Sequence, residues 1–182
     1  MPMSWNARRG RALAFIVGAV LGSLSSEADE CNTLRVRGVE VAEAVRGAFK
    51  RTGLYCEAEE YYDERERRIY YRTYCHDGRF IEILESLRER PGLAWRWING
   101  YEVDFLKGLL GAGGCQYMGS CIMICGKRKE YLDVIVECLE RLGIGYYVEC
   151  HDEEWTLYVR YRDLAKARQA IRHTRYHAYR GT

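Results

Sequence analysis

The chain has 182 residues, 48% of them hydrophobic and 30% charged, with 28 Lys and Arg against 26 Asp and Glu. That length suits one ordinary domain or two small ones, and the charged and aromatic content excludes a disordered chain. No apolar run reaches the ~18 residues of a membrane-spanning helix, so no membrane partner is expected, and a net charge of +2 does not by itself announce a nucleic-acid binder.

Arg11 to Gly22 reads as an apolar helix. Arg8, Arg9 and Arg11 ahead of it, with Ser23, Ser25, Ser26 and Ala28 behind, give the N-terminus a superficial likeness to a secretory leader. A counterpart at Val103 to Ala112, which a cleaved leader would not need, argues instead for a helix of the fold. A strand pair follows around Ser25 to Val36. Val39 to Thr52 is then an amphipathic helix with Val41, Val45, Ala48 and Phe49 on one face, ended by Gly53. Leu54 to Tyr62 turns through Asp63 to Glu66 into Arg67 to Cys75, and Asp77 caps a closing helix that runs to Arg90. Pro91-Gly92 is turn chemistry, and 91–100 reads as a linker between repeats at 1–90 and 101–182.

The second repeat answers the first at a constant offset of ninety. Phe15 meets Phe105, Gly18 meets Gly108, Cys31 meets Cys121, Leu34 meets Ile124, Val45 meets Ile135, Arg51 meets Arg141 and Gly53 meets Gly143. A hairpin around Cys115 to Cys125 turns at Gly119-Ser120. Lys127 to Leu142 places Tyr131, Ile135, Cys138 and Leu139 on one helix face, and Ile144 to Cys150 turns near Asp152 into Trp155 to Tyr161. Asp163 then starts a closing helix towards Arg175. From Arg160 onward there are seven basic residues against Asp163 alone, a basic tail on an otherwise acidic chain. The shared order αββαββα predicts an α+β fold of two pseudo-symmetric halves, each a four-stranded antiparallel sheet with helices on one face.

Eight cysteines invite a disulfide framework, with Cys56 and Cys75, or Cys115 and Cys125, as cross-hairpin candidates; buried thiols are the alternative. Their spacing lacks the pairs of a structural zinc site. Only five amides and an excess of Arg over Lys suggest a heat-adapted, cytoplasmic source, where cysteines and a cytosolic address are compatible.

Phe105-Leu106-Lys107-Gly108-Leu109-Leu110-Gly111-Ala112-Gly113-Gly114, with its partner Phe15-Ile16-Val17-Gly18-Ala19-Val20-Leu21-Gly22-Ser23-Leu24, resembles the signature of the LAGLIDADG homing endonucleases. Gly18 and Gly22, like Gly108 and Ala112, lie four apart on one helical face, where small residues let two helices approach closely. Each interior Gly costs about 1 kcal/mol of helix stability, which close packing must offset. The resemblance covers nearly the whole chain and implies a single-chain pseudo-dimer packed through these helices, a monomer with internal twofold symmetry.

It also implies an acidic residue at the end of each motif helix, holding divalent metal against the scissile phosphates. Those positions are Ser23 and Gly113, and a second acid of the motif falls on Gly111. Mg²⁺ prefers carboxylate or phosphate oxygens and is needed to activate the attacking water. No catalytic residue, metal ligand or cofactor is therefore expected, with Mg²⁺ relevant only if nuclease activity persists. Glu27, Asp29, Glu30 and Asp104 are the acids that a relocated active site could use.

In the family the sheet face opposite the helices binds DNA. Strand alternation assigns Arg35, Arg37, Tyr70, Arg72 and Tyr74 outward in the first half, and Tyr158, Arg160 and Arg162 in the second. These are the candidate nucleic-acid contacts, as Arg binds phosphate or guanine and Tyr stacks on unpaired bases. Tyr55, Glu57, Glu59, Tyr61, Tyr147 and Glu149 share the face, and the acids among them oppose a polyanion. The expectation is a catalytically inactive relative that retains nucleic-acid binding, DNA more than RNA, in a regulatory or maturase-like role. A protein-interaction module using the Tyr/Arg/Glu face, and an active endonuclease with relocated acids, are the alternatives.

Overall fold

The computed structural model describes residues 5–24, 33–36, 38–64, 67–112, 116–118, 121–126, 128–160, 162, 163 and 165. In chain order these form α1 (Trp5–Leu24), β1 (Thr33–Val36), α2 (Val39–Thr52), β2 (Cys56–Asp63), β3 (Arg68–Cys75) and α3 (Gly78–Glu89). A 3₁₀ turn (Pro91–Ala94) and a short α4 (Trp95–Ile98) lead to α5 (Glu102–Gly111), β4 (Gln116–Met118), β5 (Cys121–Gly126), α6 (Lys129–Arg141), β6 (Tyr146–His151) and β7 (Glu154–Arg160). None of the described helices is long and apolar enough to cross a membrane.

All described strand pairs are antiparallel. The second sheet has the order β4-β5-β7-β6, and the described part of the first has β1-β3-β2. The fourth strand expected in the first half, within 25–32, lies outside the described residues. The pleat puts Leu34, Val36, Thr73 and Cys75 of one sheet, and Ile122, Ile124, Leu157 and Val159 of the other, on the helix side, all buried. Phe49 of α2 meets Phe80 of α3 edge-to-face at 4.9 Å within that core.

The two halves use the same local devices. Gly53 (φ 76°) and Gly143 (φ 64°) follow α2 and α6 in the left-handed conformation that Gly adopts without a Cβ clash. In both, the glycine N–H returns to the carbonyl three residues back and the next N–H to the one five back, so each helix ends in a Schellman motif. The β6–β7 hairpin turns on Asp152 and Glu153, both at positive φ, as the twist of a two-residue turn demands. Met118 pairs with Cys121, and Gly119-Ser120, where the sequence expects the turn, lies outside the described residues.

Some boundaries differ from the sequence pattern. The first helix starts at Trp5, about two turns before the apolar stretch, since Arg8 and Arg9 interrupt the hydrophobic pattern and not the hydrogen bonding. Gly10 in the added turns lies against the Tyr101 ring, where a Cβ would come within 2.5 Å of Cε2. The segment joining the repeats is helical and packed: Pro91 takes a first-turn position, where its missing N–H costs nothing, and Ala94 and Ile98 are fully buried. Arg141 fastens it, donating to Asn99 at 2.9 Å and lying 4.1 Å over the Trp95 ring. Arg162, Asp163 and Ala165 are the described residues of the second closing helix, and Asp163 accepts a hydrogen bond from Arg160 Nε at 2.9 Å. The basic tail beyond lies outside the described residues.

Asp77 caps α3 by accepting from the Arg79 backbone N–H at 2.9 Å, while its carboxylate also holds the Arg79 guanidinium at 2.6 Å. The Arg79 side chain, with its N–H, draws the Asp77 pKa down from 3.8 to about 2. A carboxyl depressed on folding contributes stability that is full above the unfolded value and is lost as pH falls through the folded one. Acid denaturation curves of wild type and Asp77→Asn should therefore converge between about pH 4 and pH 2. Curves that stay parallel through that window would show that Asp77 gains nothing from its charge.

Candidate nucleic-acid interface

The seam between the halves fixes the placement of everything else. At α1 and α5 a Cβ built on Gly18 would stand 1.9 Å from the Phe105 carbonyl oxygen, and one on Gly108 would stand 1.9 Å from that of Phe15. One turn on, a Cβ on Gly22 would lie 2.6 Å from the Leu109 carbonyl oxygen and 3.3 Å from the Ala112 Cβ. The helices thus touch backbone to backbone about a pseudo-twofold axis. Ser23, in the last turn of α1, is buried and donates its hydroxyl to the Val20 carbonyl at 3.1 Å. Gly113 lies outside the described residues.

On the first sheet, the register sets Glu57 opposite Tyr74, Glu59 opposite Arg72 and Tyr61 opposite Tyr70, with Arg35 opposite Arg72 on the other side. These residues form one interleaved column on the face away from the helices. The Arg35 guanidinium lies 3.6 Å over Tyr70, Tyr70 stacks on Tyr61 at 5.9 Å, and Arg72 lies 4.2 Å over Tyr61. Arg72 also donates to the Tyr74 hydroxyl at 3.1 Å, which in turn donates to Glu59 at 2.5 Å, a bond that raises the Tyr74 pKa. Arg35 is ion-paired with Asp63 at 2.9 Å, both side chains being under one-fifth exposed. The sequence assigns Tyr70 to an exposed nucleic-acid contact, and the structure corrects this. Tyr70 is on the outward face but only 2% exposed, because Arg35 from the neighbouring strand covers its ring. Arg37 lies outside the described residues.

The second sheet is more open. Tyr147 and Tyr158 sit directly opposite one another with rings 6.2 Å apart, next to Arg160 and Glu149. With Cys121, Gly145 and Tyr146 they line a shallow concavity of about 580 Å³. Glu149 accepts from the Tyr147 hydroxyl, raising its pKa; burial, followed by the Glu149 charge, raises that of Tyr158. Arg160 is 55% exposed while paired with Asp163; Arg162, which strand alternation assigns to the sheet face, is exposed but lies in the closing helix, because β7 ends at Arg160. Asp63 is the acid that side-chain pattern alone gave no reason to place here, since its partner Arg35 is 28 residues away in sequence and meets it only through the register.

No family model and no curated protein sequence matches the chain. Solved structures do. A mesophilic variant of the homing endonuclease I-DmoI superposes with a TM-score of 0.61 over 90% of this chain and 96% of its own, at 15% identity. I-DmoI in complex with DNA and Ca gives 0.63 over 90% of each chain at 16% identity. The N-terminal LAGLIDADG domain of DUF199/WhiA gives 0.56 over 94% and 93% at 14% identity.

The chain has the LAGLIDADG homing-endonuclease fold. Its α1 and α5 meet at the seam of that fold, and its two sheets flank them. The fold family implies a divalent cation at the ends of these helices, and the described residues do not fit one. The Ser23 hydroxyl is turned back onto its own helix. No group of three or more His, Cys, Asp or Glu that could hold a metal occurs among the described residues. Asp104, one of the acids available for relocation, is in the first turn of α5, about 10 Å along the axis from Gly111 at its other end. It is bound there by Arg11 at 2.8 Å, with Lys107 at 3.9 Å. Glu27, Asp29 and Glu30 lie outside the described residues.

Proposed function

We propose that this chain binds nucleic acid, duplex DNA first, on the sheet face opposite its helices, and does not cleave it. The observation that carries the reading is the concentration of Arg and Tyr on that face in both halves. Arg72, Tyr61 and Tyr74 stand on one sheet, and Tyr147, Tyr158 and Arg160 on the other. Stacked Arg–Tyr columns hold guanidinium planes in fixed orientation, which lowers the entropy cost of meeting a phosphate or a base edge. The open second sheet, with exposed Arg160 at the end of β7 and exposed Arg162 in the closing helix beyond it, supplies the leading phosphate contacts. The likeness to I-DmoI, solved in complex with DNA, supports DNA as the ligand. A monomer suffices because both halves are in one chain.

A protein partner is the second reading, favoured by a different observation. The Arg35–Asp63 and Arg160–Asp163 pairs and Glu57, Glu59 and Glu149 neutralise much of the face, and Tyr/Arg surfaces also suit protein interfaces. Fluorescence anisotropy with a mixed-sequence 30-base-pair duplex and its single strand, at 50 to 300 mM salt, separates the two. Nucleic-acid binding should weaken with a log–log slope of about −3 or steeper, as expected for four or more phosphate contacts. No binding to either probe at 50 mM salt would remove the nucleic-acid reading and leave the protein partner.

A further inference from the structure

We propose that Cys56 and Cys75 form a reversible oxidation site, an adjacent dithiol that closes to a disulfide across the open end of the β2–β3 hairpin. The inference is independent of what binds the sheet face. Cys56 opens β2, Cys75 ends β3, and the register places them directly opposite each other. Among the described cysteines they are the sole such pair. Cys121 faces Arg160, Cys125 faces Thr156 and Cys150 faces Trp155, while Cys138 is buried in α6 with its thiol on the Glu102 carbonyl.

Both thiols are free in this structure, Cys75 buried and Cys56 half-buried. The pairing is therefore a reduced state of the bridge that the hairpin spacing suggested. Directly opposed residues in an antiparallel pair have Cβ atoms about 4.5–5.5 Å apart, so modest adjustment reaches disulfide geometry.

The surroundings set the two sulfurs apart. The Cys56 thiol hydrogen-bonds to Cys75, which pushes Cys56 up and draws Cys75 down. The Asp77 backbone N–H and the Arg79 guanidinium also favour a Cys75 thiolate, against its burial and the Asp77 carboxylate. Its thiol form donates to the Tyr55 carbonyl at 3.3 Å. With Cys75 as the attacking sulfur and Cys56 as the resolving one, a peroxide small enough to reach a buried sulfur is the oxidant, and exchanging the two roles gives the same disulfide.

The chemistry balances with one hydrogen peroxide. The Cys75 thiolate attacks one peroxide oxygen and the O–O bond breaks. The departing hydroxide takes up the thiol proton and leaves as water, and Cys75 becomes a sulfenic acid. Cys56 sulfur then attacks that sulfur, the S–O bond breaks, and the sulfenic hydroxyl leaves with the Cys56 proton as a second water. Two thiols are oxidised to a disulfide and the peroxide is reduced to two waters.

The full-length chain is treated with a small excess of hydrogen peroxide, alkylated, digested without reduction and mapped by mass spectrometry. A linked peptide pair joining Cys56 to Cys75 is expected, reversed by dithiothreitol, with the melting temperature of the oxidised form raised by roughly 5–10 °C. In Cys56→Ser, peroxide should leave Cys75 as a sulfenic acid, read as the gain of one oxygen in the intact mass that dithiothreitol reverses, because the resolving thiol is gone. Should that variant fail to fold, the wild-type map decides alone. The proposal is overturned if Cys56 and Cys75 both stay alkylatable while the exposed Cys125 and Cys150 oxidise, or if the linked pair maps elsewhere.

Discussion

Gly18→Ala and Gly108→Ala should each cost about 3 kcal/mol or more, or prevent folding altogether. Helix propensity alone gives the opposite sign, since Ala is the better helix former by about 1 kcal/mol. Sterics decide the outcome. The added methyl would stand 1.9 Å from a backbone carbonyl oxygen of the other helix. A side chain in the way could rotate; a carbonyl in the middle of α1 or α5 cannot without breaking its own helix. Relief requires the helices to separate, which opens the seam along its length and loosens the sheets mounted on them. Gly47→Ala is the control. Gly47 sits in α2 with Arg51 Nη2 as nearest neighbour to a Cβ, at 3.9 Å. There the propensity term acts unopposed, and a gain of about 0.5–1 kcal/mol is expected. Urea denaturation of the three variants tests the pair of signs. A Gly18→Ala protein as stable as wild type would mean that the helices do not meet as described.

Plasmid DNA incubated with the protein and either Mg²⁺ or Mn²⁺ should remain supercoiled. Hydrolysis of a phosphodiester by this fold needs metal to generate the nucleophile and to stabilise the leaving oxygen, each worth several kcal/mol of barrier. Metal of this kind asks for oxygen ligands, carboxylates foremost. At the end of α1 the available group is a neutral hydroxyl already donating to Val20, and at the matching position of the second half the sequence has Gly113. Ser23 is also buried at a helix C-terminus, where the partial negative charge of the last carbonyls disfavours an anion. Ser23→Asp should accordingly lower stability, and added Mg²⁺ should not restore it. Linear product from a unique site, in the wild type, would refute the reading of inactivity and direct attention to the acids of 25–30.

The sequence carried the repeat, and with it the architecture, because helix, hairpin and glycine recur in both halves at one offset. The elements whose periods were unbroken came out close to their true bounds, as for Val39 to Thr52. Where local composition disguised the hydrogen bonding, the bounds moved. Arg8, Arg9 and Gly10 hid two turns of α1, and Pro91-Gly92 read as a break although the segment folds into helical turns. For the candidate site, alternation told which face a residue is on, and not how deep it lies there. Tyr70 shows the difference, for its burial depends on Arg35, a side chain from another strand. The Arg35–Asp63 and Arg160–Asp163 pairs were equally out of reach, since which charge neutralises which is decided by register and by the turn after β7. Under the proposed function the weight shifts in consequence to the second sheet, where Arg160 is exposed despite its partner.

The reciprocity of the 1.9 Å approaches has a further consequence for how the chain is put together. Gly18 meets Phe105 as Gly108 meets Phe15, so each half offers its sister the same surface that it would offer a copy of itself, the arrangement of an isologous dimer. The covalent connection then contributes effective concentration, and the recognition resides in the glycines. It also frees the two binding surfaces to diverge, since in one chain they need not stay identical. The stacked Arg35–Tyr70–Tyr61–Arg72 column on one side and the open Tyr147–Tyr158 cleft on the other are such a divergence, and under the proposed function they suit a target that is not palindromic.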